Sequence, residues 1–161
     1  MLKSIVYKTN TGHTFEYAKM LSEKLEIPYY SIKEAKTKLN KNDEIIYLGW
    51  VCAGKISGLG KVKNRYNIKY YGAVGAYPLN NEYIEGLKKA NNIVKPLFYL
   101  RGGIDYTKLK GIKKKIVQMV GKVLEKEDRQ NRELIEIFKN GANFVSEKNI
   151  EQMLKSIKKD Q

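Results

Sequence analysis

The chain has 161 residues, with 31 Lys and Arg against 17 Asp and Glu, which gives a net charge of +14. One cysteine and one histidine exclude an internal disulfide framework and a multi-histidine metal site, and no run of about 18 apolar residues offers a membrane-spanning helix. The length suits one domain, 1–161, with a sizeable core, and with no signal-peptide pattern ahead of the first strand a cytoplasmic protein is expected.

Leu2 to Tyr7 reads as a first strand, central and buried. Small and hydroxylated residues follow in Thr9-Asn10-Thr11-Gly12-His13-Thr14, and then Phe15, Ala18, Leu21 and Leu25 recur at the spacing of one helix face. A strand, a small polar loop and a helix start form a phosphate-binding arrangement. Loop N–H groups and the unpaired first N–H groups of the helix converge on one point, where the helix dipole favours an anion. Thr9, Thr11 and Thr14 add hydroxyls, and Gly12 permits close approach or positive φ. The alternative is an ordinary turn whose threonines only cap the helix. Neither G-x-x-x-x-G-K-[ST] nor G-x-G-x-x-G occurs, so a nucleoside triphosphate loop and a dinucleotide fold are not supported.

Tyr29, Tyr30 and Ile32 suggest a short second strand, and 32–42 a polar connection with room for a helical turn. Ile45-Ile46-Tyr47-Leu48-Gly49 is a strong buried strand. The stretch from Trp50 to Gly60, with Gly54 and Gly58, reads as a loop before a short or irregular helix. Ile68 to Val74 is a fourth strand, ended by Gly75-Ala76-Tyr77-Pro78, and a helix with Tyr83, Ile84 and Leu87 follows. Pro96 to Leu100 is a fifth strand. Ile112, Ile116, Met119, Val120, Val123 and Leu124 mark an amphipathic helix, with Ile112, Ile116 and Val120 expected to be buried and Lys113, Lys114 and Lys115 to face water. A short helix over Arg129 to Lys139 should end near Gly141, and Ser146 should cap a last helix carrying Ile150, Met153, Leu154 and Ile157. Five strands alternating with helices predict a parallel α/β sheet covered on both faces. Ligands of such sheets bind at the carboxyl ends of the strands, which gathers the loops after strands 1, 3 and 4.

Thr9 to Thr14 resembles the phosphate loop of the flavodoxin family, commonly T/S-x-T-G-x-T after the first strand. Leu48-Gly49-Trp50-Val51-Cys52-Ala53-Gly54-Lys55 is similar to the clostridial-type G-[FY]-W-V-D-K-G segment, Gly72 to Pro78 to G-x-x-G-A-Y-P, and Tyr99 to Asp105 to the segment that ends the fifth strand. The likeness spans about residues 1–125. It implies a flavodoxin-like three-layer sandwich with strand order 2-1-3-4-5, non-covalent FMN and low-potential electron transfer. It also implies cofactor contacts from Thr9, Asn10, Thr11, Gly12, His13 and Thr14 at the phosphate, Trp50, Val51, Ala53, Gly54 and Lys55 on one side of the ring, and Gly75, Ala76 and Tyr77 on the other, with Gly102 as a further cofactor contact. Cys52-Ala53 stands where an acid and a lysine are common, and the chain is basic where the family is usually acidic. A lysine-rich segment from Tyr106 to Lys115 also resembles the insertion of bacterial flavodoxin-like protoporphyrinogen oxidases, which would make the chain an FMN-dependent oxidoreductase linked to a membrane.

The +14 charge favours acidic partners. For a carrier this means a redox partner protein with an acidic docking surface. Peripheral contact with an anionic membrane through 108–122 is the competing expectation. Nucleic acid is disfavoured, because neither zinc-finger spacing nor an RRM-type aromatic motif is present. Cys52 and His13 fall on the same sheet edge, where a small residue beside a ligand is a simpler reading than a nucleophile and its base.

Overall fold

Side-chain alternation along the central strands builds two cores from one sheet. The computed structural model describes residues 1–160. Its strands are β1 (Ser4–Lys8), β2 (Tyr29–Ser31), β3 (Glu44–Cys52), β4 (Lys55–Ile56), β5 (Asn67–Gly75), β6 (Leu97–Arg101), β7 (Gly103–Ile104) and β8 (Ala142–Asn143). Its helices are α1 (His13–Leu25), α2 (Ile32–Lys38), α3 (Leu59–Lys63), α4 (Asn81–Ala90), α5 (Gly111–Glu127), α6 (Arg132–Asn140) and α7 (Glu151–Lys159). Five strands run parallel in the order β2-β1-β3-β5-β6, which is the expected 2-1-3-4-5 order with one extra strand, β4, in the count.

Successive residues of a strand point to opposite faces, and here both faces are apolar. Ile5, Ile46, Leu48, Val74 and Leu100 face α1 and α7, and Tyr17, Leu21, Met153 and Ile157 close that core. Val6, Ile45, Tyr47, Tyr71 and Ala73 face the other way, where Ala35 of α2, Leu59 and Val62 of α3 and Leu87 of α4 cover them. The result is a helix–sheet–helix sandwich. Burying one such aliphatic side chain contributes about 1.5–3 kcal/mol, so these two layers dominate the stability.

Ser146 does not cap the last helix as expected: it precedes a 3-10 turn, Glu147–Ile150, without a side-chain cap bond, and α7 starts only at Glu151. Three larger regions depart from the sequence reading. The polar connection after β2 is a helix, α2, started by a reciprocal cap: Glu34 N–H donates to Ser31 Oγ at 3.3 Å, and Ser31 N–H donates to Glu34 Oε2 at 2.9 Å. The loop expected from Trp50 is instead strand, as β3 continues to Cys52 and turns back on itself, pairing Cys52 with Lys55 and Val51 with Ile56. Ala53 and Gly54 make the turn, both with positive φ (47° and 73°), the geometry of a two-residue hairpin turn. Asn91 at the end of α4 fastens this hairpin: its Oδ1 accepts from Ile56 N–H at 2.9 Å and its Nδ2 donates to the Gly54 carbonyl at 2.9 Å.

The third departure is α5. None of its residues is buried. Ile112 and Ile116, expected in a core, are 75% and 41% exposed, and Val120 is only half-buried. The helix packs on α6, beside a small third cluster of Ile104, Leu109 and Ile137 with Val117 and Phe138. The sheet face shared with α1 is covered instead by α7, through Met153 and Ile157.

Candidate functional site

The carboxyl ends of β1, β3 and β5 open onto one cavity of about 400 Å³. Thr9, Asn10, Thr11, His13 and Thr14 line it from the β1–α1 loop, Trp50 to Gly54 from the hairpin, and Gly75, Ala76 and Tyr77 from the end of β5. The sheet register explains the meeting: Lys8 pairs with Gly49 and Trp50 with Val74, so the three strands end at one level.

The first loop folds around its own threonine. Gly12 N–H donates to Thr9 Oγ1 at 3.0 Å, and Gly12 takes φ 113° as the cap of α1, a conformation that glycine adopts at little cost. Glu16 N–H is the first of the helix to reach a carbonyl, that of Gly12 at 3.0 Å. The N–H groups of His13, Thr14 and Phe15 ahead of it have no helical partner, as at any helix start. Thr11 Oγ1 lies 3.3 Å from His13 Nδ1. The His13 imidazole is 8% exposed, and burial, aided by Lys108, lowers its pKa against the opposing pull of Glu16 and Asp105. It is therefore neutral at neutral pH, and what the loop itself offers to a ligand is N–H dipoles and hydroxyls.

The walls are aromatic. The Trp50 indole Nε1 is buried without an acceptor among the described residues. Opposite the first loop, Tyr77 stacks on Tyr83 at 4.7 Å with the rings 12° apart, and Tyr83 meets Tyr99 edge-on at 5.5 Å. Tyr99 Oη donates to the Tyr77 carbonyl at 2.9 Å, tying the β5 loop to β6. Burial raises the Tyr83 phenol to about 12, so it stays neutral. A planar, apolar ligand with a terminal anion matches such a lining.

Three of the residues proposed from sequence stand outside this lining. Gly12 shapes the loop as the cap of α1 without lining the cavity. The Lys55 ammonium donates to the Ala90 carbonyl on α4. Gly102 is framework: its N–H donates to the Gly75 carbonyl at 2.7 Å and its carbonyl accepts from Phe144 N–H at 2.7 Å. Conversely, the cavity has a second lining that sequence reasoning missed, formed by Ile104 and Leu109 before α5, Ile116, Val117 and Val120 on it, and Phe138 on α6. The only signal was the apolar stripe of α5 itself, which says nothing of what it covers.

Residues 4–131 match the family model described as "Flavodoxin domain". No curated protein matches the chain.

Proposed function

The chain belongs to the flavodoxin family, and from that premise we propose that it binds FMN without a covalent bond and carries electrons. The observation that supports this best is a neutral, threonine-rich loop at the head of α1 opening into an aromatic-walled cavity. The donor set fits a phosphate monoester: free N–H groups from His13 to Phe15, and the hydroxyls of Thr11 and Thr14. Trp50 and Tyr77 are of the right chemistry to flank a flavin ring. When bound, FMN supplies the one- and two-electron chemistry, which is the cofactor's own. The chain's part is to hold the phosphate, flank the ring and exclude water with the cavity's apolar lining.

The test is acid release of the cofactor from purified protein, followed by chromatographic identification. FMN is expected; FAD, or no flavin after reconstitution with excess FMN, overturns the proposal. As a carrier of charge +14, it suits a partner with an acidic surface, so the partner's association rate should fall steeply with ionic strength.

One observation favours a second reading, an FMN-dependent oxidoreductase. Ile116, Val117, Val120 and Phe138 extend the apolar lining beyond the three loops, which suits a flat apolar substrate. Anaerobic mixing of the oxidised holoprotein with a porphyrinogen separates the two readings. Rapid bleaching of the flavin supports the enzyme, and its absence supports the carrier.

A further inference from the structure

The roof of the cavity is weakly tied to the fold, yet it reaches the phosphate loop through two cations. α5 has no buried residue, and it begins at Gly111, whose φ is 58°. An element with so few buried contacts opens at low free-energy cost. From its first turn, Lys113 Nζ donates to Asn10 Oδ1 of the loop at 2.9 Å and stands 5.3 Å from the centre of the Trp50 ring. From the segment just ahead, Lys108 comes so near the loop that a methyl group on Gly12 would sit 3.5 Å from its Nζ. Lys108 also pairs with Asp105 at 3.5 Å, and Asp105 lines the same cavity. The partner found by Lys113 is a neutral amide. Two ammonium groups thus lie at the rim of an anion site whose own histidine carries no charge at neutral pH.

We propose that Lys108 and Lys113 are ligands of the phosphate and act as a latch: the anion held by Thr9 to Thr14 draws both lysines in and fixes α5 over the cavity. The inference rests on the FMN reading and adds to it. A phosphate dianion satisfies Lys113 better than an amide oxygen does, and it offsets the repulsion from Asp105 by recruiting Lys108. Because the lysines reach the phosphate only when α5 is closed, phosphate binding favours the closed roof, and closure in turn tightens the grip on phosphate. Riboflavin, which has the same ring and no phosphate, lacks this differential interaction.

The experiment compares wild type with the double variant Lys108→Gln, Lys113→Gln. Each is titrated with FMN and with riboflavin by quenching of flavin fluorescence, and hydrogen exchange over 111–127 is followed in each state. The double variant should lose at least about tenfold in FMN affinity, from two charge-assisted bonds, and keep its riboflavin affinity. FMN should slow exchange across α5 in wild type, riboflavin should not, and the double variant should lose the difference. Equal loss for both flavins would make the lysines merely structural and overturn the latch. Unchanged FMN affinity, or equal protection of α5 by riboflavin, would overturn it as well. A wild type that binds neither flavin would remove the FMN reading and the latch together. One that binds FMN no better than the double variant does would remove the latch alone.

Discussion

Helices α5 and α7 each carry an apolar stripe at helical spacing, and they are treated oppositely. In α7, Met153 and Ile157 are wholly buried, with Ile150 of the preceding turn, against Ile5, Ile46 and Leu100. In α5, Met119 is 59% exposed and Val123 44%, beside Ile112 at 75%. Hydrophobic periodicity reports that a helix has an apolar face; it does not report what lies opposite that face. The α7 stripe meets a sheet face that is already apolar. The α5 stripe meets α6 on one side, the cavity on another and solvent along the rest.

The largest expected contrast is in stability. Met153→Ala empties a packed site and should cost about 2–5 kcal/mol, whereas Met119→Ala should stay within about 0.5 kcal/mol. Denaturant unfolding of the two variants checks this, and equal losses would break the comparison. A smaller effect is expected at the junction ahead of α7. Asn149 Nδ2 donates to the Phe144 carbonyl at 2.8 Å and to Tyr17 Oη at 2.6 Å, while Tyr17 Oη donates to the Arg101 carbonyl. Asn149→Ala leaves the Phe144 carbonyl without this donor, while Tyr17 Oη keeps its bond to Arg101, and should cost about 1–3 kcal/mol. A drop much below that range would mean that apolar packing alone seats α7.

A still smaller effect sharpens the contrast in backbone terms. Ala53 holds φ 47° in the hairpin turn, where an asparagine is better suited. Ala53→Asn should raise stability by up to about 1 kcal/mol, read as a shift of the unfolding midpoint; an unchanged midpoint would show that Asn91 holds the turn irrespective of its own residues, and a loss would refute the turn argument. The smallest effect is in pH, and it belongs to the α5 side of the molecule, where Asp105 and Lys108 face His13 together with Glu16 from α1. The folded His13 pKa lies below its ordinary 6.5, so the folded chain binds this proton less readily than the unfolded one does. Its contribution to stability is complete above pH 6.5 and is lost as pH falls through the folded value. His13→Asn should therefore flatten the acid limb of the stability curve, and an unchanged limb would assign that slope to other groups.

The legible parts of the chain were those where one physical signal had one meaning. The apolar runs at Ile5, Ile45 and Leu97, each bounded by turn residues, read as buried strands, and the helix spacing after Thr14 marked α1; the sheet order came from the family resemblance, and the gathering of three loops followed from a parallel sheet. The start of α2 was written as Ser31-x-x-Glu34 but was hidden by a polar helix with one buried residue, Ala35. The hairpin after Trp50 was obscured because Ala-Gly is a weak turn signal compared with Asn-Gly. Lys55 and Gly102 fell outside the lining because strand continuation moved one onto α4 and sheet pairing made the other part of the frame. The second lining of the cavity depends on where two helices stand in space, and local sequence carries no record of that.

The burial of α7 has a consequence for biosynthesis. The helix that completes, beside α1, the cover of one side of the sheet is made after all five parallel strands. Between the end of β6 at Arg101 and the end of α7 at Lys159, a ribosome adding about 5–20 residues per second takes roughly 3–12 seconds. Throughout that interval Ile5, Ile46, Leu48, Val74 and Leu100 have α1 beside them and nothing in the place of Met153 and Ile157. The nascent chain therefore presents a greasy half-covered sheet to chaperones and to its neighbours on the polysome, and a message cut short before Ser146 would yield a product that never covers it.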